Sequence, residues 1–209
     1  MRTPAFWLLI VAQATHGLSV SAVNIHSIPL LTDMGIEPLR AAAIVAICYA
    51  GSSLPARLVG GFLADHLSKR HLRFILIGAY LLGAIGFLVF LLNQTLAGIY
   101  VFLILFGISK GAAMAPFAAV EGRYFGRKSF GSIRGVSMMF MTPFGILAPI
   151  YGGWVYDTTG SYIEALTLCA ALLAFATVIT VFALPPKPPA QVTDILNSYN
   201  GSFLSFTLL

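Results

Sequence analysis

Gly60-Gly61-Phe62-Leu63-Ala64-Asp65 and Gly152-Gly153-Trp154-Val155-Tyr156-Asp157 share one pattern, Gly-Gly-aromatic-aliphatic-x-Asp, 92 residues apart. Each closes a long apolar run. A hydrocarbon core about 30 Å thick requires roughly 20 apolar residues per helix. Six runs meet that length, at 5–31, 40–63, 73–92, 97–120, 132–155 and 163–184. The shift of 92 residues that superimposes the two motifs also carries the start of the first run onto that of the fourth. A whole block of three helices is therefore displaced. Because three is odd, the copy is inverted across the membrane, which predicts an all-α, polytopic fold of six transmembrane helices arranged as two inverted three-helix repeats, 5–92 and 97–184.

Composition agrees. Of 209 residues, 58% are hydrophobic and 9% charged, against about a quarter charged in soluble domains. The net charge of +5 sits between apolar runs and forms no basic stripe interleaved with aromatics, so no nucleic-acid partner is expected. Cys48 and Cys169 lie inside apolar runs and read as small hydrophobes, and neither a metal nor a cofactor is expected. Pro185, Pro186, Pro188 and Pro189 end the helical region. The expected division is a transmembrane unit over 1–186 and a poorly ordered cytoplasmic tail over 187–209.

Lys and Arg set orientation. Lys69, Arg70 and Arg73 follow the second run, and Arg123, Arg127, Lys128 and Arg134 surround the gap after the fourth, whereas 93–98 and 157–162 hold none. The two basic loops and both termini are expected to face the cytoplasm of a cell whose plasma membrane the chain spans. Asn93-Gln94-Thr95 matches a glycosylation sequon but lies in too short a loop to weigh.

The segment Gly61-Phe62-Leu63-Ala64-Asp65-His66-Leu67-Ser68-Lys69-Arg70 resembles the signature loop of the major facilitator superfamily, Gly-x-Leu-x-Asp-Arg-x-Gly-Arg-Arg, with His66 and Ser68 in place of its Arg and Gly. The stretches 22–35, 124–135 and 152–162 are similar to the carboxy-terminal half of monocarboxylate-transporter-like and oxalate/formate-antiporter-like members. The resemblance implies six helices of a twelve-helix secondary transporter. Gly61, Asp65, Lys69 and Arg70, with Arg134 beside the fifth helix, are gate candidates: Asp65 can cap the start of that helix at Gly131-Ser132 while the cytoplasmic side is closed, and a solvated loop carboxylate is the alternative.

Charges within a membrane are expensive and commonly functional. Arg57 and Lys110 both fall inside apolar runs, while every acidic residue, Glu121 included, reads as lying at a helix end, in a loop or in the tail. The resemblance implies that Arg57 contacts a substrate carboxylate; snorkelling to the interface is the structural alternative. Lys110 reads equally as a second substrate contact or a structural polar group. On the first helix Gln13, His16, Asn24 and Ser27 share a polar stripe, making His16 and Asn24 further candidate substrate residues. His16 and His26 can be read as proton carriers or as hydrogen-bonded interior histidines.

The expected function is secondary active transport of small organic anions, monocarboxylates first, by alternating access, completed by an amino-terminal six-helix half or a second copy. Two alternatives stand beside it. Gly107-Ile108-Ser109-Lys110-Gly111 matches Gly-x-Ser-x-Gly, the pattern of an intramembrane serine protease with Ser109 as nucleophile. A non-transporting assembly factor or a non-functional transporter fragment is the other.

Overall fold

In hydrocarbon no water pairs with backbone N–H and C=O groups, so a chain this apolar satisfies them within helices. The computed structural model describes residues 4–126 and 130–185. Arg127, Lys128, Pro186, Pro188, Pro189 and the 187–209 tail lie outside the described residues. Among the described residues there are six long helices: α1 (Pro4–Asp33), α2 (Pro38–His66), α3 (Leu72–Leu92), α4 (Leu96–Phe125), α5 (Phe130–Thr159) and α6 (Ile163–Phe182). Their lengths are 30, 29 and 21 residues and then 30, 30 and 20. The two triplets thus repeat in length as well as in motif. Gly35, Gly126 and Gly160, just past α1, α4 and α5, take positive φ of 82°, 91° and 69°, the left-handed geometry that glycine adopts without a Cβ clash. Thr95, the last residue of the sequon, caps α4 by accepting the Gly98 N–H at 3.2 Å.

Neighbours in sequence are not the main neighbours in space. The first helix of each triplet packs on the second and third of the other, α1 on α5 and α6 and α4 on α2 and α3, while α3 packs on α6. This pattern is unchanged when the triplets are exchanged, as an inverted repeat requires. The α3–α4 seam is filled by Phe87, Phe90, Phe102 and Phe106, with Phe87 and Phe102 centroids 4.8 Å apart. α2 and α5 are the least covered helices.

Lipid tails are as apolar as leucine, so helices associate in membranes chiefly through close packing and interhelical hydrogen bonds. On α4, a Cβ at Gly107 would strike Ser52 Oγ and the Tyr49 carbonyl of α2; at Gly111 it would strike the Ser53 carbonyl, with the Arg57 nitrogen at 3.0 Å. The signature motif contributes through its first glycine. A Cβ at Gly60 would lie 2.9 Å from the Ala112 carbonyl, whereas at Gly61 its nearest neighbour is the Ala115 methyl at 3.7 Å. Close approach therefore falls at Gly60, one residue before the glycine that opens the signature loop. The repeat-equivalent Gly152 makes room on α5 for the His26 ring of α1, whose Nε2 would be 2.6 Å from a Cβ there.

Prolines create the second kind of seam. Pro149 has no N–H to offer the Gly145 carbonyl four residues back, and the Ser21 hydroxyl of α1 donates to that carbonyl at 2.7 Å. His26 Nε2 lies 3.1 Å from the Pro149 carbonyl, binding the same two helices one turn further on.

Gly111→Val is expected to force α2 from α4 and to lower the thermal unfolding midpoint in detergent, because overpacking costs about 1–3 kcal/mol or more when the obstacle is backbone. Gly78→Ala, at a glycine with nothing within 4 Å, is expected to leave the midpoint in place. Equal midpoints for both variants would remove the glycine seam as the basis of α2–α4 packing.

Candidate functional site

The tight α2–α4 seam fixes which side chains those helices present beside it. Lys110 stands 14 residues from the start of α4 and 15 from its end, hence about 21 Å from either terminus at 1.5 Å per residue and near the bilayer centre. Its ammonium lies 4.3 Å from the ring centroid of Tyr49 on α2 and 3.5 Å from Asn24 Oδ1 on α1. Arg57 is exposed on α2, nine residues before His66. Its guanidinium contacts the thioether of Met114, one turn from Lys110 on α4. A thioether is a weak acceptor for a group with five donors. Arg57 lies within Coulombic reach of Lys110, and among the described residues neither forms an ion pair.

Tyr49 has no counterpart in the sequence reading. It lies in the π-helical turn Val45–Ala50 that widens α2, an irregularity frequent at functional positions. The Ser52 hydroxyl, 2.5 Å from the Cys48 carbonyl, satisfies backbone at the end of the wide turn. Tyr49 stacks on Phe106 at 5.9 Å and 10°, which holds the ring that Lys110 faces. A π turn leaves no mark in hydrophobic periodicity; only Pro55 and the Ser52-Ser53 pair in the same helix hinted at an irregular backbone.

The polar stripe of α1 divides. Asn24 faces the cations and is exposed, as a substrate residue must be. His16 is 3% exposed and its ring packs between Tyr80 and Phe106, so it stands behind the exposed face and not on it. Gln13 accepts a 2.6 Å hydrogen bond from the Tyr80 hydroxyl, and Ser27 is buried. Stripe position at helical period records a direction, and α3 and α4 cover part of that direction.

The basic end, where α2 and α4 finish, holds the one ion pair among the described residues. Arg134 Nη1 on α5 lies 2.9 Å from Glu121 Oε2 on α4, and the Ser137 hydroxyl donates to Oε1 at 2.6 Å. Glu121, read as a helix-end carboxylate, is 2% exposed. Such a carboxylate must be compensated, and Arg134 is its partner as well as a gate candidate. Arg123 donates to the carbonyls of Leu67 at 2.7 Å and Asp65 at 3.3 Å, clamping the α2–α3 turn to α4. Arg73 reaches the Val181 carbonyl at 3.0 Å and ties α3 to α6. Lys69 Nζ is 5.9 Å from the Tyr124 ring centroid, and Arg70 is exposed.

Asp65 does not cap α5. Its side chain is exposed and forms no hydrogen bond or ion pair among the described residues. α2 and α5 scarcely touch, because each is held on the first helix of the opposite triplet.

Ser109 is fully buried in the α3–α4 seam, 2.6 Å from where a Gly83 Cβ would stand, and its hydroxyl has no hydrogen-bond partner among the described residues. A serine nucleophile requires a base within hydrogen-bond reach and space for an acyl group. Neither is present at Ser109, and the protease reading fails on geometry.

Residues 1–149 match the Major Facilitator Superfamily. Monocarboxylate transporter 12 of Rattus norvegicus is 24% identical over 179 residues, covering 85% of this chain and 37% of its own length. The uncharacterized MFS-type transporter YcxA of Bacillus subtilis is 25% identical over 184 residues, 86% of this chain and 44% of its own. The chain thus spans under half the length of these curated relatives. A solved auto-inhibited peptide transporter of the POT family shares the fold with a TM-score of 0.75 at 16% identity, over 90% of this chain and 40% of that one. With its six apolar helices and a family match extending over more than half of its length, the chain belongs to the Major Facilitator Superfamily.

Proposed function

We propose that the chain is one half, the carboxy-terminal one, of a secondary transporter that moves small organic anions, monocarboxylates first, across the plasma membrane. The observation that carries this reading is the pair Arg57 and Lys110. Two cations within Coulombic reach on helices of membrane length, with no carboxylate opposite them among the described residues, cannot face lipid without an anion, a polar cavity or water. A substrate carboxylate bound by Arg57 and Lys110, with Asn24 orienting the ammonium, meets that demand. The name of the Rattus norvegicus relative fits the same chemistry.

An apposed bundle, an amino-terminal half or a second copy of this chain, closes the cavity over exposed Arg57 and half-buried Lys110, and the two bundles rock about the midplane site in alternating access. In this reading the basic end and both termini face the cytoplasm. Asp65, exposed and without an ion-pair partner among the described residues, meets a helix N-terminus of the apposed bundle when the cytoplasmic side is shut, with Gly61, Lys69 and Arg70 in the same turn. Arg134, locked to Glu121, keeps α5 and α4 moving as one body. The tail over 187–209 follows the last helix into the cytoplasm.

Proteoliposomes containing the chain, alone or with a supplied amino-terminal half, are expected to accumulate labelled lactate, pyruvate, formate or oxalate. Arg57→Gln is expected to reduce uptake about ten- to a hundredfold, the range that losing one hydrogen bond to a charged group implies. Uptake by no preparation, or undiminished uptake by Arg57→Gln, would refute the assignment. Asp65→Asn is expected to change the rate of counterflow exchange while substrate binding persists; an unaltered rate would leave Asp65 without a gating role.

A further inference from the structure

Tyr49 is 3% exposed, and its hydroxyl has no hydrogen-bond partner among the described residues. Burying an unpaired phenol O–H costs stability that a phenylalanine would keep, so the hydroxyl gives no reason for an aromatic side chain here. The face of the ring does: the Lys110 ammonium lies 4.3 Å from its centroid. The place of that ring is fixed twice over. Phe106 stacks on it at 5.9 Å and 10°, and Phe106 is itself held edge-on by Phe87 at 5.0 Å. On the main chain, the wide turn is closed by the Gly51 N–H on the Ala46 carbonyl, five residues back. Gly107 admits the Tyr49 carbonyl against α4, and the Ser52 hydroxyl lies 3.2 Å from both that carbonyl and the Ile104 carbonyl of α4.

An ammonium has three donors. Asn24 Oδ1, 3.5 Å away, engages one and the ring face a second, which leaves the third for a ligand. Whatever holds Lys110 must not neutralise it. A carboxylate in place of the ring would satisfy the ammonium and shut out an anion, and an alkyl group would leave the side chain free to swing. A π face attracts the cation through its quadrupole and carries no net charge. We infer that Tyr49 is a positioning residue for anion binding: the face of its ring, with Asn24, fixes the Lys110 ammonium so that its remaining N–H is presented to the anion that Arg57 shares. An ammonium set in advance spares the bound state the cost of ordering a free lysine side chain. The inference rests on the anion-transport reading and deepens it by naming the uncharged group that keeps a binding cation in place.

The test is equilibrium binding of labelled pyruvate, and in parallel of formate and oxalate, to the full chain in lipid nanodiscs with position 49 varied. Tyr49→Phe is expected to bind as the parent does, and Tyr49→Leu about two- to thirtyfold more weakly, the span of a cation–π contact. Phenylalanine carrying one, two or three ring fluorines is then introduced at the same position. Fluorine drains negative potential from the ring face and barely alters its size, so affinity is expected to fall stepwise along the series. A merely structural ring gives no such slope. A flat series overturns the inference, and so does an affinity that rises with fluorination, which would put the anion rather than the ammonium over the ring. Tyr49→Phe binding as weakly as Tyr49→Leu overturns it too, by assigning the effect to the hydroxyl. Should Tyr49→Leu not fold, the fluorinated series decides alone. Failure of all three anions to bind the parent removes the transport reading and this inference together, whereas binding with a flat series removes this inference alone.

Discussion

Backbone-to-backbone contact at glycine is what the rest of the bundle depends on. In a solvent that gives apolar side chains no reason to seek one another, α2 stays on α4 because Gly107, Gly111 and Gly60 let main chains touch. The other triplet solves the same problem with a different mixture. Gly152 admits an imidazole, and Pro149 frees a carbonyl that Ser21 fills. Both arrangements leave α2 and α5 with wide uncovered faces, and the exposed part of α2 carries Arg57. Position of the site therefore follows from how small residues are distributed along the seams, and polarity of the site follows from what those seams leave uncovered.

Charge within the bundle is handled in two opposed ways. At the basic end a buried carboxylate receives an arginine and a hydroxyl, giving a closed unit in which each partner answers for the other's desolvation. At the midplane two cations receive an aromatic face, an amide oxygen and a thioether, none of which carries negative charge. The first arrangement is complete as it stands; the second carries two positive charges that its own contacts leave unneutralised.

The six spans and their inverted pairing were legible because hydropathy and a 92-residue recurrence are properties of the chain alone, and Arg57 and Lys110 stood out as cations within apolar runs. Helix ends moved by five residues at most, as where 97–120 became Leu96–Phe125. What was not legible depends on which face a neighbour covers. His16 and Asn24 lie eight residues apart on one stripe, yet α3 and α4 enclose the first and leave the second open. Glu121 looked peripheral because nothing in its surroundings in sequence announces that Arg134 and Ser137 return to it from the next helix. The contact expected between Asp65 and α5 with the cytoplasmic side closed is absent from this conformation for a related reason: both lie at the basic end, but the swapped packing separates α2 from α5.

That swapped packing also dictates an order of assembly. The hydroxyl of Ser21 and the carbonyl it satisfies are 124 residues apart, so α1 enters the bilayer long before its main packing partners, α5 and α6, have been synthesised. Helices α2, α3 and α4 complete their mutual contacts first and meet α1 through Tyr80 and Phe106 at Gln13 and His16, while the rest of α1 waits for α5 and α6. During that interval its Ser21 and His26, whose partners lie on α5, face lipid or a transient host, which makes the first helix the segment of this chain most dependent on the insertion machinery.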